Sequence, residues 1–226
     1  MGAARVIDRY VGQRRALIEL LRDRGIRDLE VLRAFDQVAR HEFLPEAIWH
    51  RAYEDAPVPI GYGQTASQPS LQALYMQLLR LRSTDRVLEV GTGSGFQTAV
   101  LAQLVDRVYS VERLRPLGVR ARDTLDRLRV SNVAILIGDG TIGWSRYAPY
   151  DAILVAAAAP EIPEPLVGQL AEGGRMLIPV GNRDRQRLLL VRREPAGVQY
   201  EEVLDCTFVP LLGRFGWGEE REENPG

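Results

Sequence analysis

The segment Glu89-Val90-Gly91-Thr92-Gly93-Ser94-Gly95 restricts this chain more than any other stretch. It joins an apolar run at 86–90, which reads as a strand, to a helix-forming stretch at 96–105. Three alternating glycines let the backbone turn tightly and come close to a ligand at the positive end of the following helix. The spacing departs from the dinucleotide fingerprint, which would need a small third residue at position 96, where Phe96 stands.

The rest of the chain repeats the strand-helix unit. The periodicity predicts a helix at 71–81, strands at 86–90 and 107–112, a helix at 116–128, strands at 133–137 and 152–155, a short helix at 165–170 and a strand at 175–180. Near-continuous apolar strands alternating with helices imply a doubly wound, mostly parallel sheet covered on both faces. Two further strands, at 188–192 and 200–209, flank Pro195-Ala196-Gly197 and are expected to close the sheet as an antiparallel hairpin. The expected fold is therefore doubly wound α/β. Upstream, Val6, Tyr10, Leu17, Leu20 and Leu21 predict a first amphipathic helix ending near Gly25. A second is capped by Asp28, with Val31, Leu32, Phe35 and Val38 as its stripe before Pro45. Residues 53–70, rich in Pro, Gly, Gln and Ser, read as a long ordered loop, a class that is usually functional.

With 226 residues the chain suits one generous domain. The expected division is helices and the Pro- and Gly-rich loop at 1–70, the strand-helix core at 71–212 and a charged tail at 213–226. Its 29 basic residues are all arginine against 30 acidic ones, for a net charge of −1. No lysine means no lysine Schiff base and no P-loop, and the even balance argues against nucleic acid as a partner. Cys206 is the single cysteine, and His41 and His50 are the only histidines, so neither a disulfide nor a Cys-rich zinc site is available and no metal is expected. His41 and His50 read as packing or capping residues, Cys206 as a small apolar filler, and the arginines at 113–129 as a solvated helix face. The longest apolar run, 152–159, falls far short of the roughly 20 residues of a membrane-spanning helix. Arg5, Asp8 and Arg9 would interrupt a signal-peptide core. The expectation is a cytoplasmic protein with no membrane partner.

Glu112 stands at the predicted tip of the next strand, 21 residues beyond Gly91, where a carboxylate can accept from both hydroxyls of a ribose. Gly138-Asp139-Gly140 ends the third strand, and Asp139 is placed to receive the exocyclic amine of an adenine. In order, at successive strand ends, these acids and the glycine loop point to a nucleoside ligand.

The acid-x-Gly-x-Gly-x-Gly pattern resembles the first motif of Rossmann-like, class I S-adenosylmethionine-dependent methyltransferases. The likeness narrows with Ala52-Tyr53-Glu54-Asp55, with Pro59-Ile60-Gly61-Tyr62-Gly63-Gln64-Thr65-Ala66-Ser67-Gln68-Pro69 and with Val87 through Gln97. Gly138-Asp139-Gly140 with Gly143-Trp144, Ala148-Pro149-Tyr150-Asp151, Ala158-Ala159-Pro160 and Phe208-Val209-Pro210-Leu211 extend it. Across about residues 28–211 the chain resembles the protein-L-isoaspartate O-methyltransferase family.

That resemblance implies methyl transfer from S-adenosylmethionine to the α-carboxylate of L-isoaspartyl residues in damaged proteins, with D-aspartyl residues a further candidate substrate. The ester then closes to a succinimide, which begins repair. Ser67 matches the family's active-site serine and is expected to orient the carboxylate through its hydroxyl. Thr65, Ala66, Ser67, Glu89, Gly91, Thr92, Gly93, Ser94, Gly95, Glu112, Asp139 and Gly140 are the expected cofactor residues, and Ser67, Gln68 and Val209 the expected substrate residues. An extended substrate could align beside Phe208-Val209-Pro210. Isoaspartyl-containing proteins and peptides are the implied partners, and a monomer is expected. Leu212, Ala156 and Ser70 depart from the family, which often has Thr, Thr and an aromatic residue there. Two competing readings are a carboxyl methyltransferase for an aspartate in one dedicated peptide, expected to carry an extra recognition domain, and a binding module without catalysis, expected to lack Ser67 or the glycines.

Overall fold

The computed structural model describes residues 9–218. Val6 and the acidic run from Glu219 lie outside the described residues. In chain order the elements are α1 (Val11–Asp23), α2 (Leu29–Gln37), β1 (Val58–Gly61), β2 (Gln64–Ala66), α3 (Pro69–Leu79), β3 (Arg86–Val90), α4 (Phe96–Leu104) and β4 (Arg107–Glu112). They continue with α5 (Arg115–Arg127), β5 (Val133–Ile137), β6 (Tyr150–Val155), α6 (Glu164–Gly168), β7 (Leu170–Gly181), β8 (Gln186–Glu194) and β9 (Gly197–Cys206). The main sheet has seven strands in the order β5-β4-β3-β6-β7-β8-β9. The first five in that order run parallel, and β8 and β9 add antiparallel at one edge. Strand order reverses between β3 and β6, which opens a crevice at their carboxyl ends.

Side-chain alternation along each strand makes two cores. Ala152 and Leu154 of β6 face the helices, whereas Ile153 and Val155 face the other way. Leu188 and Leu190 of β8 join the first core, and Leu189 and Val191 the second. Burial on both faces is why these strands read as unbroken apolar runs, each fully buried Leu or Ile contributing about 1.5–3 kcal/mol. Residues of α1 to α5 cover the first face. The second face is closed by α6 and by the rings of Tyr109, Trp144, Tyr147 and Tyr150, with Tyr109 stacked on Tyr147 at 4.4 Å between centroids.

Local signals act as expected at the helix ends. Asp28 caps α2 by accepting the N–H groups of Glu30 and Val31 at 3.0 and 3.2 Å. After α1, the Gly25 N–H donates to the Arg22 carbonyl and the Ile26 N–H to the Leu21 carbonyl, a Schellman closure around a left-handed glycine.

Other segments depart from the sequence reading. The stretch 53–70 is no plain loop, since β1 and β2 form a small antiparallel hairpin within it. Its strands are too short to show a period of two, and the left-handed residues Gly61, Tyr62 and Gly63 make its turn. Arg120 of α5 anchors this hairpin, its Nη2 donating to the Ile60 carbonyl at 2.5 Å. After α2 the chain becomes extended at Val38 and continues as two 3-10 turns, Arg40–Phe43 and Glu46–Arg51. β9 ends at Cys206, so Val209 leaves the expected strand; the Val209 carbonyl instead accepts the Ala158 N–H at 2.8 Å. The boundary expected at 212/213 falls inside a folded turn, in which the Trp217 N–H donates to the Leu211 carbonyl. No helix among the described residues is long and apolar enough to cross a membrane.

Candidate active site

The site lies where β3, β4 and β6 end. Gly91 leaves β3 with φ +97°, and a Cβ there would stand 3.4 Å from the Ala156 Cβ at the end of β6, so the loop runs close against that strand. Gly95, with φ +87°, starts α4, and a Cβ on it would press within 3.0 Å of Ala121 on α5. Gly95 is thus a packing and capping residue behind the loop.

Two acids brace this loop from different sides. Glu89 is fully buried beneath it, where it accepts from Gln97 Nε2 at 3.1 Å, Thr98 Oγ1 at 2.5 Å and Ser110 Oγ at 2.6 Å. Burial pushes its carboxyl up to about 7, against the downward pull of those three hydrogen bonds. Glu112 closes the other side: its Oε2 accepts the Gly93 N–H and its Oε1 the Leu114 N–H, both at 2.8 Å. Ser110 and Thr92 hydroxyls, 2.6 Å apart, link the buried acid to the loop above it.

One cavity collects most of the expected residues. Thr65, Ala66 and Ser67 enter it from the hairpin side, and Gly91, Thr92, Gly93 and Ser94 from the loop. Glu112, Gly140 and Val209 complete the set. Gly140 sits where a Cβ would collide with Val90 at 2.4 Å. The remaining expected residues fall elsewhere. Glu89 and Gly95 support the loop from behind. Gln68 lines a separate groove with Ser70 and Leu71, its Nε2 donating to Ser70 Oγ at 3.1 Å. Asp139 lines a neighbouring cleft with Arg113 and Trp217. Its Oδ1 accepts from the N–H and hydroxyl of Thr141, at 2.8 and 2.7 Å, and its Oδ2 from the Arg214 N–H at 2.8 Å. Burial alone would raise the Asp139 carboxyl, but these donors outweigh it and hold the group below the ordinary carboxylate range.

Several wall residues lie outside the expected set of site residues. Gln72, on the first turns of α3, lines the cavity with 6% exposure, and its Oε1 is buried without a hydrogen-bond partner. Ile60, Gln97 and Leu117 add further wall. Arg40 is the largest omission. It is fully buried, and its Nη2 donates to the Ser67 carbonyl at 3.0 Å. Only the tertiary fold shows this, because nothing in its neighbours' pattern marks it as internal.

The remaining titratable candidates have structural roles. His41 packs among Tyr10, Trp49 and Tyr53, with Nδ1 2.8 Å from the Tyr53 hydroxyl. Cys206 is half-buried, and burial, aided by Asp205, pushes its thiol up to about 11. The arginines of α5 stay exposed while Arg120 and Arg122 reach backbone carbonyls. Among the described residues no three His, Cys, Asp or Glu side chains gather as a metal site would need.

A glycine loop at the reversal of strand order, an acid at the tip of the next strand and a close-packed glycine at the third define a Rossmann-like, S-adenosylmethionine-dependent methyltransferase. The family model described as protein-L-isoaspartate(D-aspartate) O-methyltransferase matches residues 12–216, and the chain belongs to that family. It is 49% identical over 211 residues to a protein-L-isoaspartate O-methyltransferase of Geobacter metallireducens, spanning 93% of this chain and 98% of the relative. A Methanoculleus marisnigri protein of the same name is 48% identical over 209 residues, 92% of this chain and 95% of its own. A solved protein-L-isoaspartate O-methyltransferase superposes with a TM-score of 0.82 at 33% identity, covering 90% of this chain and 67% of that one. A Plasmodium falciparum structure, named as a beta-aspartate methyltransferase and solved with S-adenosyl-L-homocysteine, gives 0.77 at 29% identity, covering 88% and 98%.

Proposed function

We infer that this protein is a protein-L-isoaspartate O-methyltransferase, which esterifies the α-carboxylate of L-isoaspartyl residues in proteins and so opens their repair through a succinimide. The observation that carries this reading is the shared cavity: Ser67 and the glycine loop open into one space.

S-adenosylmethionine fits the residues of that space. Gln72 Oε1 is an orphaned acceptor in its wall, and the loop from Gly91 to Ser94 presents backbone rather than bulk. Glu112, already fixed by two N–H donors, keeps lone pairs for ribose hydroxyls, and Gly140 holds the third strand end close. When bound, this group supplies an electrophilic methyl on a sulfonium.

The nucleophile needs no activation by the protein. An α-carboxylate has a pKa of about 3.5 and is ionised at neutral pH, so a general base has no proton to remove. The work of the chain is alignment and exclusion of water. Ser67 donates its hydroxyl to one carboxylate oxygen and leaves the other directed at the methyl. A neutral donor suits this task, since a guanidinium would hold the carboxylate as a tight ion pair. Val209 and the segment around it line the far wall and receive the extended backbone of the substrate. Asp139 lies outside this cavity, in the neighbouring cleft, where it holds the Arg214 N–H of the adjoining segment.

The net charge of −1 supports protein rather than nucleic-acid partners, and the single, unpaired Cys206 supports the reducing cytoplasm as its location. The test is transfer of labelled methyl to an isoaspartyl peptide. A base-labile ester is expected, and an unlabelled peptide contradicts the reading.

A further inference from the structure

Arg40 spans two parts of the chain from inside the protein. Its Nη1 donates to the Ala52 carbonyl at 2.8 Å and to the Glu54 carbonyl at 3.3 Å. Its Nη2 donates to the Ser67 carbonyl at 3.0 Å. The side chain has 0% exposure, and its guanidinium carbon stands 5.6 Å from the centre of the Phe96 ring at the start of α4. Burying a cation this deeply is costly unless its donors are used, and Nε has no partner at all. Burial draws its pKa down to about 10, with Asp55 opposing, so the group remains a cation at neutral pH.

Such a costly arrangement stands out in this chain. All 29 of its basic residues are arginine, so residue type alone distinguishes nothing, whereas this burial does. The carbonyl that Arg40 holds belongs to the residue read as the carboxylate-orienting serine. In a planar trans peptide the C=O and the following N–H point in opposite directions. Holding the Ser67 carbonyl inward therefore turns the Gln68 N–H outward and fixes where the Ser67 Cα–Cβ bond leaves the chain. Asp55 pins the other end of the segment, its Oδ1 accepting the Ser70 N–H at 2.8 Å.

We propose that Arg40 is a positioning residue for methyl transfer: by holding the Ser67 carbonyl, its buried fork sets the Ser67–Gln68 peptide and so places the Ser67 hydroxyl against the substrate carboxylate. The proposal rests on the reading of Ser67 as the orienting donor. A lysine keeps the charge but lacks the planar fork that reaches the 52–54 turn and Ser67 together.

Arg40→Lys, Ser67→Ala and the double variant, all in the full chain, separate the two ideas. For each, kcat and KM for an isoaspartyl peptide are measured, together with S-adenosylhomocysteine binding by calorimetry. Arg40→Lys is expected to lower kcat/KM for the peptide by about tenfold or more, since small misplacements of an orienting group are expensive, while cofactor-product affinity stays within about twofold. Because Arg40 acts through Ser67, Arg40→Lys costs far less when Ser67 is already Ala. Full multiplication of the two single losses overturns the proposal. So does wild-type kinetics in Arg40→Lys beside an impaired Ser67→Ala. Wild-type kinetics in Ser67→Ala overturns the Ser67 reading and this proposal with it. Arg40→Gln, which keeps a donor for one carbonyl, takes the place of Arg40→Lys in the same cycle if the lysine variant does not fold.

Discussion

Glu112 Oε2 accepts the Gly93 N–H at 2.8 Å, which ties the tip of β4 to the middle of the glycine loop. The other oxygen accepts from Leu114 and fixes the entry to α5, so one carboxylate sets both edges of the cofactor crevice. Glu112→Ala removes both acceptors and the proposed ribose partner together. Hydrogen bonds to a charged group contribute about 1.5–3 kcal/mol each, so S-adenosylhomocysteine affinity should fall by on the order of 10- to 100-fold in calorimetry. Unchanged affinity would remove Glu112 from the binding site.

Ser67 lines the same cavity and is the proposed orienting donor for the substrate carboxylate. Ser67→Ala should reduce kcat with isoaspartyl peptide by roughly 10- to 100-fold, the loss of one hydrogen bond to a charged group, with cofactor-product affinity retained. Full activity in this variant would show that the hydroxyl orients nothing.

The buried Glu89 gives the fold a pH signature. Its carboxyl moves from an ordinary 4.5 to about 7, so between those values the folded chain holds this proton more tightly than the unfolded chain does. Stability from this group is present below about 4.5 and is lost as pH rises through about 7. Relative to Glu89→Gln, the wild type should therefore weaken across that window, by roughly 3 kcal/mol once the rise is complete. Denaturation of both proteins from pH 5 to 8 checks this, and parallel curves would contradict it.

Cys206 offers a negative control. With its thiol pushed up to about 11, it should alkylate slowly at pH 8 and faster only as pH approaches that value. Cys206→Ser should leave methylation unchanged; a large loss of activity would assign the thiol a role that the site geometry does not give it.

The parts of this fold that were legible in the sequence are those fixed by local chemistry. Asp28 caps α2 because a short side chain can reach the first free N–H groups, and the strand runs at Val87 and Leu154 are apolar because both sheet faces are covered. Glycines at 91, 93 and 95 announced the tight turn after β3 because only glycine takes those positive φ angles without strain. Distant partners left no such trace. Pro59 and the Gly61-Tyr62-Gly63 turn looked like loop until Arg120 and β2 supplied their pairing. Asp139 was expected at this strand end, but nothing local shows that its oxygens also receive Arg214, a partner 75 residues away. Arg40 was invisible because its burial depends on the chain from 52 to 67 folding over it.

The central claim is that the chain recognises an isoaspartyl α-carboxylate and methylates it without acid-base help. Two peptides that differ only in Asp against isoAsp, each incubated with labelled S-adenosylmethionine and the full protein, test it most directly. A base-labile methyl ester on the isoAsp peptide, followed by succinimide, with the Asp peptide unlabelled, is the predicted result. Equal labelling of both peptides, or no ester on the isoAsp peptide, would contradict it.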